Sequence, residues 1–294
     1  MKLATVAHGG RTTAAVLDGD RWRALPADDL SVLLTTTEPD RIAGLAGAEL
    51  PGATPLLPLP SPRKVVCCGL NYADHITEMG RELPAHPTLF AKYADTLIGP
   101  EDDLVLPPGL DVDWEAELAV VVGAELNRAD RDTAGRAIAG YTVANDISVR
   151  DWQKRTLQWF QGKAWDRTTP LGPVVVTPDE LDPIAGVEVI CRVNGVERQR
   201  GNTRTLVFDA ADLLAYISSF TVLRPGDIVL TGTPGGVGSG MNPPVHLADG
   251  DLVETEIPGI GTLRNRFRLT DSPLIDSPLA DLPLTDSRLT DSRS

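Results

Sequence analysis

Along most of the chain, apolar residues come in short runs broken by Gly, Pro and Asn-Gly, and long stretches with a helical period are few. Between residues 64 and 269 the runs KVVCCG, ELAVVVG, GYTVAND, GPVVVT, VEVICRVNG, DIVLTG and LVETEI follow one another at strand length. This spacing predicts an α+β, β-rich core of sandwich or barrel type rather than a doubly wound sheet. Two segments read as helix: residues 146–161, and residues 209–220, where Leu213, Leu214 and Ile217 recur at intervals that share one face.

The pattern also divides the chain. Residues 1–50 read as a small subdomain, with short strands at 2–7 and 13–17, a Gly-Asp turn at Gly19 and Asp20, and a short helix. Residues 51–62 carry five prolines, which exclude helix and central strand, so a linker is expected there. The core domain then spans residues 63–268. From residue 269 to 294 the chain repeats a Leu-x-Asp pentad interrupted by proline, a period that suits neither helix nor strand, and disorder is expected.

Composition narrows the partners. The 294 residues hold 27 Lys and Arg against 41 Asp and Glu, a formal charge of −14, which repels nucleic acid and anionic membranes and attracts divalent cations. The tail's five aspartates and two arginines account for −3 of this, so the acidity belongs to the folded part. Three cysteines, Cys67, Cys68 and Cys191, make neither a disulfide framework nor a paired zinc motif, and read as buried thiols of a reducing cytoplasm. No run reaches signal or membrane-spanning length, and a cytoplasmic protein is expected.

The segment DWEAELAVVVG at residues 113–123 carries the most chemistry. In one continuous strand Asp113, Glu115 and Glu117 share a face. Such a face is either a solvated edge or a seat for a hard cation such as Mg²⁺, which prefers carboxylate oxygens. The strand GYTVAND then delivers Asp146, and in a helix from 146 onward Asp146, Arg150 and Gln153 would lie together: a metal ligand, a guanidinium fork for a substrate carboxylate, and an amide. A helix cap followed by an ordinary ion pair explains the same spacing.

Three further features complete the candidates. Lys163, in a polar loop, is either a cation for an enolate oxygen or a solvated lysine. The run TGTPGGVGSG at 231–240 lacks both phosphate-loop and dinucleotide fingerprints, but its backbone N–H groups and Thr233 can cradle an oxyanion. In GLNYADHITE, His75 and Glu78 stand three apart, the spacing at which a carboxylate orients an imidazole as general base.

With GLNYADH, DWEAELAVVVG, GYTVANDISVRD, the Lys163 loop ending in TTPLGP, and TGTPGGVG in one order, the chain from about residue 63 to 268 resembles the fumarylacetoacetate hydrolase family. The resemblance implies a mixed β-roll core, a homodimer, and Mg²⁺ or Mn²⁺ held by Glu115, Glu117 and Asp146. It implies that Arg150, Gln153, Lys163 and Thr233 hold a small 2-oxo or 1,3-dioxo acid, and that His75 with Glu78 activates water; Asp113 stands outside the implied ligand set. The reaction expected is hydrolysis of a C–C bond in an acylpyruvate-type acid. Decarboxylation of oxaloacetate-type acids and isomerisation of unsaturated dioxo acids in aromatic catabolism use the same electron sink. A non-catalytic binding protein on this fold is the alternative of another class.

Overall fold

The computed structural model describes residues 1–78 and 82–271, apart from the side chains of His75 and Glu78. Among these residues the largest element is an 11-stranded sheet. Its main path runs Arg21–Ala24, Arg11–Asp18, Lys2–His8, Thr169–Val176, Ile138–Asn145, Ala116–Val122, Ile228–Leu230, Val65–Gly69 and Thr88–Lys92. Thr54–Pro55 pairs with Lys2–His8, and Leu97–Ile98 pairs with Thr169–Val176. A second sheet of five strands runs Val196–Asn202, Glu188–Val193, Leu252–Ile257, Gly261–Leu269 and Leu104–Leu106. The two sheets and few helices make the α+β, β-rich architecture that the short apolar runs predict.

Ala116–Val122 and Ile138–Asn145 form the centre, and every residue of both strands is buried. Strands buried on both faces need largely apolar runs, which AELAVVV and IAGYTVAN supply, with Glu117, Thr142 and Asn145 as the polar exceptions. The N-terminal strands continue this sheet: Lys2–His8 pairs antiparallel with Thr169–Val176, placing Lys2 opposite Val176. The proline-rich stretch adds Thr54–Pro55, with Pro55 opposite Val6. The repeats after residue 271 lie outside the described residues.

Of the two expected helices, one forms as read. Ala210–Ser218 starts at an Asp209 capping box and buries Leu213, Leu214 and Ile217. The other does not. Residues 146–161 give a two-residue strand Ser148–Val149, a single turn Arg150–Gln153, and then Phe160–Lys163. Ser148 and Val149 are drawn into an antiparallel pair with Val112–Asp113, a tertiary contact that overrides local helical spacing.

That pairing also breaks the acidic strand in two. Val112–Asp113 and Ala116–Val122 are separate strands, so alternation of faces does not carry from Asp113 to Glu117. Trp114 fills the break: it is fully buried, and its Nε1–H donates to the Gly236 carbonyl at 3.2 Å. Trp114→Ala would leave a large cavity between the acidic strands and the glycine-rich loop. It should cost about 3–5 kcal/mol, read as a lower midpoint in urea denaturation.

Candidate active site

Three carboxylates converge where the two central strands end. Ala116 pairs with Asn145, so Glu115 and Asp146 sit just beyond matching strand ends. The Asp146 N–H donates to the Glu115 carbonyl at 2.8 Å and the Glu115 N–H to Asn145 Oδ1 at 2.9 Å. Glu117, two residues on, faces the same way, and one oxygen from each of Glu115, Glu117 and Asp146 lies within 4.8 Å of the others.

Cations surround two of the three. Lys163 Nζ bridges Glu115 Oε2 at 2.6 Å and Asp146 Oδ2 at 2.8 Å, and Lys92 Nζ takes Asp146 Oδ1 at 2.5 Å. Arg150 Nη1 reaches Glu115 Oε1 at 2.6 Å. Burial alone would raise the Asp146 carboxyl, but Lys163 and Lys92 outweigh it and hold its pKa below the ordinary value. Burial likewise opposes the Lys163 ammonium, yet Asp146 and Glu115 raise its pKa and keep it charged.

Glu117 is the exception. Its Oε2 accepts the Gly232 N–H at 2.7 Å, and among the described residues no lysine or arginine forms a salt bridge with it. Burial, and then the charges of Asp146 and Glu115, push its pKa well above the ordinary value. Counting Asp113, four buried acids face the three bases Lys92, Arg150 and Lys163. An excess negative charge and an all-oxygen donor set fit a hard divalent cation held by Glu115, Glu117 and Asp146.

Asp113 does something else. It is fully buried and accepts four hydrogen bonds: from the Trp114, Gly238 and Ser239 N–H groups and from Arg150 Nε. Asp113 therefore fixes the guanidinium rather than joining the triad, because it belongs to the neighbouring strand. Arg150 and Gln153 do come together, on a single turn rather than a long helix, with Nη1 donating to Oε1 at 2.9 Å. Asp146 lies before that turn, so no common helix face joins the three. Arg150 Nη2 is buried and has no hydrogen-bond partner among the described residues, and Arg150 lines a cavity.

The glycine-rich loop does cradle carboxylates, but they are the protein's own. Gly232 donates to Glu117, while Gly238 and Ser239 donate to Asp113. Gly232 has φ +96°, and a Cβ there would lie 2.9 Å from the Cys68 carbonyl, so glycine is required to bring this N–H to Glu117. The Thr233 hydroxyl donates to the Ala116 carbonyl at 2.9 Å and accepts from Gln199 Nε2 at 2.8 Å. Its proton is thus committed to the strand, although the residue still lines the cavity.

Lys163 is buried at the end of Phe160–Lys163, not solvated in a loop. The cavity it shares with Cys68, Phe90, Glu115, Glu117, Arg150, Gln153, Trp159 and Thr233 holds about 170 Å³. A larger cavity of about 440 Å³ lies beside the glycine-rich loop and shares Val237, but contains none of the triad. His75 and Glu78 fall in the six-residue helix Ala73–Glu78, and their side chains lie outside the described residues. Sequence reasoning missed Lys92, Gln199 and Trp159. Lys92 ends an ordinary-looking strand, and only its burial against Asp146 distinguishes it.

A family model described as fumarylacetoacetate (FAA) hydrolase C-terminal matches residues 64–268. The chain belongs to this family. Human mitochondrial oxaloacetate tautomerase FAHD2A is 46% identical over 214 residues, covering 72% of this chain and 68% of that protein. The structure of fumarylacetoacetate hydrolase from the psychrophile Exiguobacterium antarcticum superposes with a TM-score of 0.82 at 35% identity, covering 92% of this chain and all of that one. A 2-hydroxyhepta-2,4-diene-1,7-dioate isomerase from Mycobacterium marinum gives 0.73 at 31% identity, covering 92% of this chain and all of that one. The protein is thus a fumarylacetoacetate hydrolase family enzyme, and the family's reactions include hydrolysis, isomerisation and tautomerisation. Among the described residues no helix is long and apolar enough to cross a membrane.

The isolated charge of Glu117 has a thermodynamic signature. A folded-state pKa raised above the unfolded value stabilises fully below the ordinary 4.5 and loses that contribution as pH rises through the raised value. Metal-free Glu117→Gln should therefore melt above metal-free wild type at pH 8, with the difference closing as pH falls toward 4.5. Added Mg²⁺ should raise the wild-type melting temperature more than the variant's. Equal melting at every pH would mean that Glu117 carries no such cost.

Proposed function

We propose that the protein is a divalent-metal-dependent enzyme that interconverts the enol and keto forms of a small 2-oxo dicarboxylic acid of the oxaloacetate type. The observation that carries this reading is the buried Arg150 Nη2, which has no hydrogen-bond partner among the described residues, on a side chain that lines the cavity together with Lys163, Glu115 and Glu117. A buried, fixed guanidinium with a free donor is suited to a carboxylate. The cavity's 170 Å³ lies below the roughly 300–1,000 Å³ of sites for drug-sized ligands, which favours a short acid. The 46% identity to an oxaloacetate tautomerase supports the same choice.

Glu115, Glu117 and Asp146 would hold Mg²⁺ or Mn²⁺. When bound, the metal supplies Lewis acidity toward the 2-oxo oxygen. Arg150, held by Asp113 and Gln153, binds and orients the carboxylate. Lys163, kept charged by its two carboxylates, donates to the oxygen at C2 and stabilises the negative charge that develops there. Thr233 contributes a wall of the site. Phe90, Leu70, Trp159 and Val237 exclude water. The enol O–H loses its proton, the C2–O bond becomes a carbonyl, and the former double-bond pair takes a proton at C3. His75, oriented by Glu78 one turn on, is our assignment for the group that exchanges this proton.

Hydrolysis of an acylpyruvate is the second reading, favoured by the 35% identity to a fumarylacetoacetate hydrolase structure. It would use the same head-group contacts, with His75 taking its proton from water instead. Decay of enol-oxaloacetate, followed by its ultraviolet absorbance, tests the first reading. The rate above background should disappear with excess chelator and return with Mg²⁺ or Mn²⁺. Lys163→Met should lower kcat by about 10²–10³-fold, the cost of removing one oxyanion donor. Acceleration that survives in metal-free protein would sink the reading, whereas cleavage of acylpyruvate without tautomerase activity would select the second. His75→Ala should cost about 10²–10⁴-fold in whichever reaction is observed, because each routes a proton through that group.

A further inference from the structure

Trp159 is the largest side chain in the cavity wall, and two constraints fix its position. Its indole lies against the bare backbone of Gly69: a Cβ on that residue would stand 2.3 Å from Cζ3 and 2.9 Å from Cη2. No side chain at position 69 is compatible with the ring as placed. Phe90 meets the indole in an edge contact, with ring centroids 5.7 Å apart. The Phe90 ring in turn lies 5.2 Å from Lys163 Nζ, so the aromatic pair borders the reacting end of the cavity.

The backbone next to the indole is closely held. Trp159 directly precedes Phe160–Lys163, the turn that ends in the buried Lys163. Within that turn Gly162 packs so tightly that a Cβ would lie 2.5 Å from Gln153 Cβ and 2.6 Å from the Val149 carbonyl. The turn is therefore locked against Arg150–Gln153, which carries the guanidinium. The turn that carries the ammonium is thus held against the turn that carries the guanidinium, with the ring at its head.

We infer that Trp159 is a specificity-determining residue that sets the upper size of the 2-oxo acid the site accepts. The inference rests on the 2-oxo acid reading above. Filling the space beyond the head group with a rigid ring leaves room for a short substituent at C3 and rejects an aryl or long one by steric exclusion. Removing the ring enlarges the cavity while Arg150, Lys163 and the triad keep their contacts, since none of those contacts runs through the indole.

Calorimetric titration of the Mg²⁺-loaded protein with pyruvate and with phenylpyruvate tests this without reference to turnover. Trp159→Ala should shift the ratio of the two dissociation constants toward phenylpyruvate by about tenfold or more, within the range that pocket-size changes produce. Trp159→Phe should give a smaller shift in the same direction and serves if the alanine variant does not fold, as judged by its melting curve. An unchanged ratio in both variants, or an equal loss of affinity for both acids, would overturn the inference while leaving the substrate reading intact. Failure of wild type and variants alike to bind either acid would overturn both.

Discussion

Seven buried charges, four carboxylates and three cations, are the constraint on which the site depends. Taking any of them out of water is expensive, and only mutual pairing at hydrogen-bond distance makes the cluster tolerable. Lys92 and Lys163 satisfy Asp146, Lys163 and Arg150 satisfy Glu115, and Arg150 with loop N–H groups satisfies Asp113. Glu117 is left over. A divalent cation held by the triad would convert that residual cost into binding affinity.

The scaffold keeps these charges in register. Glu115 and Asp146 flank adjacent, fully buried strands, and Asn145 ties one end to the other while its own amide donates to Thr255 in the second sheet. Gln199 braces the opposite side, where its Oε1 accepts the Ala116 N–H and its Nε2 donates to Thr233 and to the Pro234 carbonyl. Two amides thus join the large sheet, the small sheet and the glycine-rich loop around the triad. Side chains placed to within fractions of an ångström need this support.

Much of this was legible in the sequence where chemistry and period agreed. The short apolar runs gave the β-rich class, the spacing of Leu213, Leu214 and Ile217 gave the helix Ala210–Ser218, and the family resemblance pointed to Glu115, Glu117 and Asp146, whose oxygens do cluster. What failed was local inference overruled by distant contacts. Asp113 read as one of three acids on a shared face because nothing local shows that residues 114 and 115 interrupt the strand. Residues 146–161 read as helix because their pairing with Val112–Asp113 is a tertiary fact. Lys92 was invisible for a related reason: a lysine at a strand end is normally solvated, and only the fold brings it to Asp146. Trp159 and Gln199 carry no motif that separates them from ordinary packing residues.

Strand Lys2–His8 is completed only by a segment that lies far along the chain. Lys2–His8 finds its outer neighbour, Arg11–Asp18, within a few residues, but its inner neighbour is Thr169–Val176. During synthesis this hairpin can close early and Thr54–Pro55 can cover Val6 and Ala7 soon after, while the inner edge at Lys2 and Leu3 waits for about 160 further residues to emerge from the ribosome. Such an edge is a template for another chain's strand. Vulnerability to misassembly is therefore concentrated in the interval before Thr169–Val176 is translated, and a chaperone that shields the nascent hairpin would act on a segment whose partner does not yet exist.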